Sequence, residues 1–249
     1  MDSKACKSAP GLFGLLIASM IMLAIGAAAI TYLLQLRLLR TNAAGACDVA
    51  IYNTMGSLDF YTRMADVSAT MAVDYCFGYS QLMHQSLYGL YPALKSISVY
   101  EFRNNHAERI LLDGAPMLPS EQEMLEKLLP DPSLKTRYLV VGDGGMNSLF
   151  ILSKYSASES GDRGARGFVA FKVDMCKILE ESGSLAHSHL IDGYEMFWRS
   201  HDGTEKLVAS DMDGARHEPD VEASQNIDDS LSGTGHLGTV TIRASSNRR

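Results

Sequence analysis

The 249-residue chain has few cysteines (four), one tryptophan, seven prolines and no cluster of lysine or arginine within its body. Each shortage excludes something. Cys6, Cys47, Cys76 and Cys176 are too scattered to supply the close ligand pairs of a zinc site. Cys6 lies on the far side of the apolar run described below, so the three remaining cysteines allow at most one internal bridge. The simpler reading is buried thiols acting as small hydrophobes. Basic residues gather only as Arg37 with Arg40 and as Arg243, Arg248 and Arg249, and the net charge is -7. Phosphate binding needs a clustered basic face, which argues against nucleic acid as a partner.

Catalytic and metal motifs are missing too. There is no Gly-x-Ser-x-Gly and no His-Glu-x-x-His. Gly142-Asp143-Gly144-Gly145 precedes strand-like rather than helical sequence, so it reads as a turn and not a phosphate cradle. His187 and His189 sit in a polar linker, and Asp211, Asp213 and Asp220 lack the spacing of a calcium loop. The expectation is a protein that is not an enzyme and holds no metal or cofactor.

What the chain does have is one long hydrophobic run, residues 11–36, with no charged side chain. About 20 apolar residues span a hydrocarbon core, and a lone span must be helical to satisfy its own backbone. Contact with membrane lipid is therefore expected through 11–36. Lys4 and Lys7 before the run nearly balance Arg37 and Arg40 after it. The short tail reads as an uncleaved signal anchor, with residues 1–10 cytoplasmic and the main domain periplasmic on a single-pass inner-membrane protein. A cleaved signal peptide ending near Ala27-Ala28-Ala29 fits less well, because apolar residues continue to Leu39.

From Asp48 to Leu90 apolar residues recur at helical spacing (Ile51, Met55, Leu58, Tyr61, Met64, Met71), opposite Asn53, Thr54, Asp59, Arg63 and Asp66. Residues 37–94 thus read as a long extracytoplasmic helix, divided near Gly78 and ended by Gly89 and Pro92, that packs on its own domain, on a second copy, or on both. Strands follow at Ser96–Arg103 and Glu108–Leu112. A short helix comes next, with Ser120 as N-cap and Glu123 at the capping-box position. Further strands fall at Arg137–Val141, Ser148–Tyr155 and Gly167–Val173, and Asp174 caps a second short helix. Tyr194–Arg199 and Lys206–Ser210 form another strand pair. Residues 211–235 read as a polar loop and Leu237–Ile242 as a final strand. Short sequential strands with tight turns give an α+β class with antiparallel sheets.

This pattern resembles the Cache superfamily, the PAS-like extracytoplasmic sensor domains of bacterial chemoreceptors, histidine kinases and diguanylate cyclases. The residues that carry the resemblance are the apolar run, the long helix, SISVYEFRNNHAERILLDG, and GFVAFKVDM ending at the acidic Asp174. GYEMFWRSHDGTEKLVAS resembles the opening of the smaller membrane-proximal module of double-Cache proteins. The resemblance implies a distal PAS-like domain over 95–183 and a partial membrane-proximal module over 184–249. The amino-acid-binding subgroup carries an Arg closely followed by Trp-Tyr; Arg137-Tyr138 is the nearest approach here.

A PAS-like pocket lies between sheet and helices, and Arg137, Tyr138, Tyr155, Phe171 and Asp174 are the candidates to line it. Arg137 and Asp174 would pair a ligand's carboxylate and ammonium while the aromatics exclude water. The implied function is a sensor that binds a small-molecule ligand, dimerises through the long helix and passes a conformational signal to the membrane. Double-Cache receptors usually continue into a second span and an output module; neither lies within this sequence, so the expectation is either a fragment of a longer receptor or a receptor half that signals through a partner protein. The alternative is a single-span structural component of a cell-envelope assembly.

Overall fold

The computed structural model describes residues 9–74, 90–103, 106–128, 136–142, 147–156, 166–182, 185, 189–200, 203–212, 218–228 and 236–246. A helix α1 (Ala9–Asp74) leads into β1 (Leu94–Arg103), β2 (His106–Gly114), α2 (Pro119–Glu126), β3 (Thr136–Val141), β4 (Ser148–Ser156) and β5 (Arg166–Val173). Then come α3 (Met175–Ser182), β6 (Ile191–Arg199), β7 (Glu205–Ser210), β8 (Val221–Asp228) and β9 (His236–Ser246). The strands form two antiparallel sheets, ordered β2-β1-β5-β4-β3 and β7-β6-β9-β8. The class is α+β, as the sequence reads.

The apolar run and the amphipathic stretch form one unbroken helix of 66 residues, about 100 Å long at 1.5 Å per residue. Its N-terminal part is long and apolar enough to cross a membrane, and Leu15, Met20, Leu23, Ile30 and Leu33 are all exposed. From Ala43 onward one stripe is buried: Ala43, Cys47, Ala50, Thr54, Leu58, Tyr61, Ala65 and Ala69. The three-to-four-residue spacing keeps these on one face, and the alanines let the helix backbone lie close to the sheets. Cys47 serves here as a buried small hydrophobe, its thiol pushed up to about 11 by burial and then by Asp48. Gly78 and Gly89 lie outside the described residues.

α1 meets the two sheets in sequence. Near its apolar end Arg40 pairs with Asp220, just before β8, at 3.2 Å. About four turns above the first buried alanines, Thr62 Oγ1 lies 2.6 Å from the Tyr138 hydroxyl in β3, and Asp66 accepts a hydrogen bond from Ser153 in β4. The four-stranded sheet is therefore the nearer of the two to the apolar run. The sheets also touch directly: Lys206 Nζ donates to the Val140 carbonyl at 2.7 Å, and the Asn147 side-chain amide donates to the Leu207 carbonyl at 2.7 Å.

Two local readings need correction. The stretch 211–235, read as loop, contains β8. Over residues 221–226 of this edge strand Val221 and Ala223 are buried, while Glu222, Ser224, Gln225 and Asn226 are exposed, so its composition is polar and its alternation faint. The short helix α2 has Leu118 rather than Ser120 as its N-cap, and the carboxylate in its first turn is Glu121 rather than Glu123: Glu121 Oε2 accepts the Leu118 amide at 2.9 Å, while the leucine side chain returns no bond. Pro119 at the first helical position fixes that start, because a helix tolerates proline only there.

Candidate functional site

The five-stranded sheet presents two unlike faces. The face toward α1 carries Ile97, Val99, Leu149, Ile151, Val169, Phe171 and Val173, all buried in one apolar cluster with the helix stripe. The opposite face carries Tyr100, Phe150, Leu152, Phe168 and Ala170, packed beneath Leu125 of α2. Polar groups collect on this second face. Ser96 and Ser98 are fully buried there, and Lys172 stands between Ser96 of β1 and Phe150 of β4 in the strand register.

Of the five residues singled out from sequence, three turn toward α1. Phe171 is fully buried in the α1 cluster. Tyr138 bonds Thr62 and sets its ring 5.2 Å from that of Trp198 in β6. Tyr155 donates to the Tyr100 carbonyl at 3.1 Å, and burial, ahead of the Glu101 charge, pushes its hydroxyl up to about 12. Asp174 caps α3: its Oδ1 accepts the amides of Cys176 (3.0 Å) and Lys177 (3.2 Å), and its Oδ2 pairs with Lys95 at 3.0 Å. The backbone of Arg137 pairs with Leu152 in the β3–β4 register. Tyr138, Tyr155 and Phe171 thus share the helix-facing core, and Asp174 sits apart from them at the head of α3. Asp174→Ala is expected to cost about 1 kcal/mol in urea unfolding, nearly all from the lost cap, since the half-exposed Lys95 pair adds little.

The polar centre of the second face is the pair Lys172–Glu121. Lys172 Nζ lies 2.8 Å from Glu121 Oε2, and the glutamate side chain is only 1% exposed. The ammonium also lies 6.0 Å from the centroid of the Phe150 ring. Burial pushes the Glu121 carboxyl up, but hydrogen bonds from Lys172 and the Leu118 amide, with the Ser148 side chain nearby, outweigh it and hold the group below its ordinary value of 4.5. The neighbouring Tyr100 is fully buried; burial first, against the lowering charge of Arg109, pushes its hydroxyl up to about 12. Apart from Glu121 the face is rich in donors: an ammonium, a phenol, two serine hydroxyls and the Arg109 guanidinium paired with Tyr100 across β1 and β2. Such a set suits an anion.

Because the folded Glu121 titrates below its unfolded value, the pair's contribution is fully present above the unfolded glutamate value and drains away as pH falls through the lower folded one. Glu121→Gln is expected to flatten that part of the stability curve below about pH 4.5, read by urea midpoints across pH.

Neither Lys172 nor Glu121 is among the residues the sequence reading selects. The signal is nevertheless visible: GFVAFKV is hydrophobic on both faces of the strand, so a single lysine within it marks a buried charge that needs a partner.

No family model and no curated protein sequence matches the chain. Solved structures do. A domain of a sensory-box/GGDEF family protein from Vibrio parahaemolyticus superposes with a TM-score of 0.52 at 12% identity, over 85% of this chain and 97% of that one. The likeness is one of fold. The periplasmic domain of Vibrio cholerae LuxQ (TM-score 0.39, 8% identity, 84% of this chain and 99% of that one) and the ligand-binding domain of the Campylobacter jejuni chemoreceptor Tlp3 solved with L-valine (0.42, 11%, 87% and 96%) superpose less closely. In this fold the five-stranded sheet, flanked by α1 on one face and α2 on the other, offers the donor-rich face just described.

Proposed function

We propose that the chain is a membrane-anchored extracytoplasmic sensor of the inner membrane, not an enzyme, that binds a small molecule on the α2 face of its five-stranded sheet. The observation that carries the reading is the continuity of α1: one helix runs from the apolar segment through the buried cores of both sheets. A change in how the sheet packs on Thr62 and Asp66 acts on the same rigid element that enters the membrane. The mechanism is a population shift between two arrangements of that helix, and the ligand drives it only by binding one arrangement better. In this reading residues 95–183 form the distal module and 184–249 the membrane-proximal one, with a partner protein carrying the signal onward.

The outer face of α1 supports a homodimer. Gly45, Val49, Tyr52, Gly56 and Phe60 follow one another at three- to four-residue steps, Val67 lies two turns further on past Arg63, and Tyr52 is 73% exposed. A Cβ built at Gly45 or Gly56 meets nothing, which leaves room for a second helix to approach. Apolar residues at this spacing form the seam of a helix pair.

The test is thermal unfolding of the intact chain in nanodiscs against a panel of organic acids, amino acids and amines. A stabilising compound is expected, by about 3 kcal/mol at a hundredfold excess over its Kd, and Lys172→Met should abolish the effect. A panel that leaves the transition unmoved would turn the reading toward a component that makes only protein contacts in an envelope assembly.

A further inference from the structure

We propose that Lys172 is the recognition point for a small carboxylate, and that Glu121 is its built-in stand-in until a ligand carboxylate replaces it. The inference rests on the sensor reading above and adds to it the class of ligand and the way it enters. Lys172 leaves β5 on the α2 face with 15% of its side chain exposed, so the ammonium is shielded yet reachable. The oxygen that accepts from it, Glu121 Oε2 at 2.8 Å, also accepts the Leu118 amide at 2.9 Å. One carboxylate oxygen therefore closes both the ion pair and the first turn of α2.

The register supplies an independent observation. Ser96 lies directly opposite Lys172 across β1 and β5, on the same face. It is fully buried, and its hydroxyl has no hydrogen-bond partner. A buried hydroxyl without a partner is costly. A free carboxylate seated on Lys172 has a second oxygen to accept from Ser96, which Glu121, tied to α2, leaves unused. An amine would face the lysine charge, and a neutral apolar molecule would leave both donors unmatched.

Exchange has a consequence for α2. The helix has eight residues, too few to persist by itself, and its N-cap amide is satisfied only while Glu121 accepts from Leu118. A ligand that displaces Glu121 loosens the element covering the sheet. Ligand entry thereby becomes a change of packing.

The experiment uses the intact chain in nanodiscs with acetate as the probe. In Glu121→Ala the lysine loses its partner, and acetate is expected to raise the thermal midpoint saturably, by about 4 °C. The parent chain should respond far less, because its own carboxylate competes. Glu121→Ala/Lys172→Met should not respond, and acetamide, equal in shape but uncharged, should move none of them. Calorimetry with succinate should show about tenfold tighter binding to Glu121→Gln than to the parent. If Glu121→Ala does not fold by circular dichroism, Glu121→Gln, which keeps an acceptor for Leu118, carries the test. No acetate response in Glu121→Ala, or an equal response in the double variant, overturns the proposal. If an amine stabilises the parent in the same screen, the sensor reading survives that failure. If acetate rescues Glu121→Ala but no small molecule stabilises the parent, the site stands and the sensor reading falls.

Discussion

Gly167→Val is expected to be among the most damaging single changes in the domain, lowering stability by about 3 kcal/mol. Gly167 lies opposite Tyr155 on β4 and Glu101 on β1. A Cβ built at this position collides with the Tyr100 carbonyl oxygen and lies 2.6 Å from the Tyr155 hydroxyl oxygen. These two atoms are hydrogen-bonded to each other at 3.1 Å, so neither yields without breaking the bond that ties the ring to β1. The obstacle on one side is main chain, which cannot swing away as a flexible side chain does. Tyr155 in turn covers the glycine, a device that protects a residue otherwise weak in a strand. Tyr155→Phe, which removes only the hydroxyl, should cost about 1 kcal/mol, and the contrast between the two variants in urea midpoint checks the explanation.

Trp198→Ala is expected to cost about 4 kcal/mol and to damage more than its own sheet. Trp198 is 2% exposed, and its ring approaches Tyr138 of the other sheet at 5.2 Å. Gly238 lies against the indole, where a Cβ would sit 3.1 Å from the ring. Tyr138 is also the residue that bonds Thr62 of α1, so the tryptophan supports a three-way joint among helix and both sheets. Losing the indole removes the largest apolar contribution to that joint. The expected signature is a lower denaturant midpoint together with a broadened or split transition, since the sheets then retain the Lys206 and Asn147 hydrogen bonds as their direct links.

Much of this architecture is legible in the chain. The alternation in Ser96–Arg103 and the short apolar run in Ser148–Tyr155, together with Asp174 before MCKILEES, place two strands and one cap where the structure has them. The helix stripe is legible because Leu58 and Tyr61 recur with helical period, although alanines make up half of it and carry little hydropathy signal. β8 is hidden because an edge strand with one solvated face needs few buried residues. The polar face is harder to read for a different reason. Which face of a strand meets a helix and which meets a ligand depends on the tertiary stacking of α1 and α2, and the period-two pattern is the same for both. Tyr138, Tyr155 and Phe171 have the chemistry of pocket linings, but the sheet turns them toward α1. Lys172 and Glu121 are 51 positions apart, and nothing local joins them.

The central claim is that binding at the sheet acts on the helix that enters the membrane. Disulfide cross-linking of the intact chain in membranes tests it most directly, with single cysteines at Val49, Tyr52, Phe60 and Val67 and at Asp48 and Ser57 off the stripe. The account predicts cross-links concentrated on the stripe, and a redistribution along it when a stabilising carboxylate is added, lost in Lys172→Met. A pattern left unchanged by a saturating, stabilising carboxylate would contradict it.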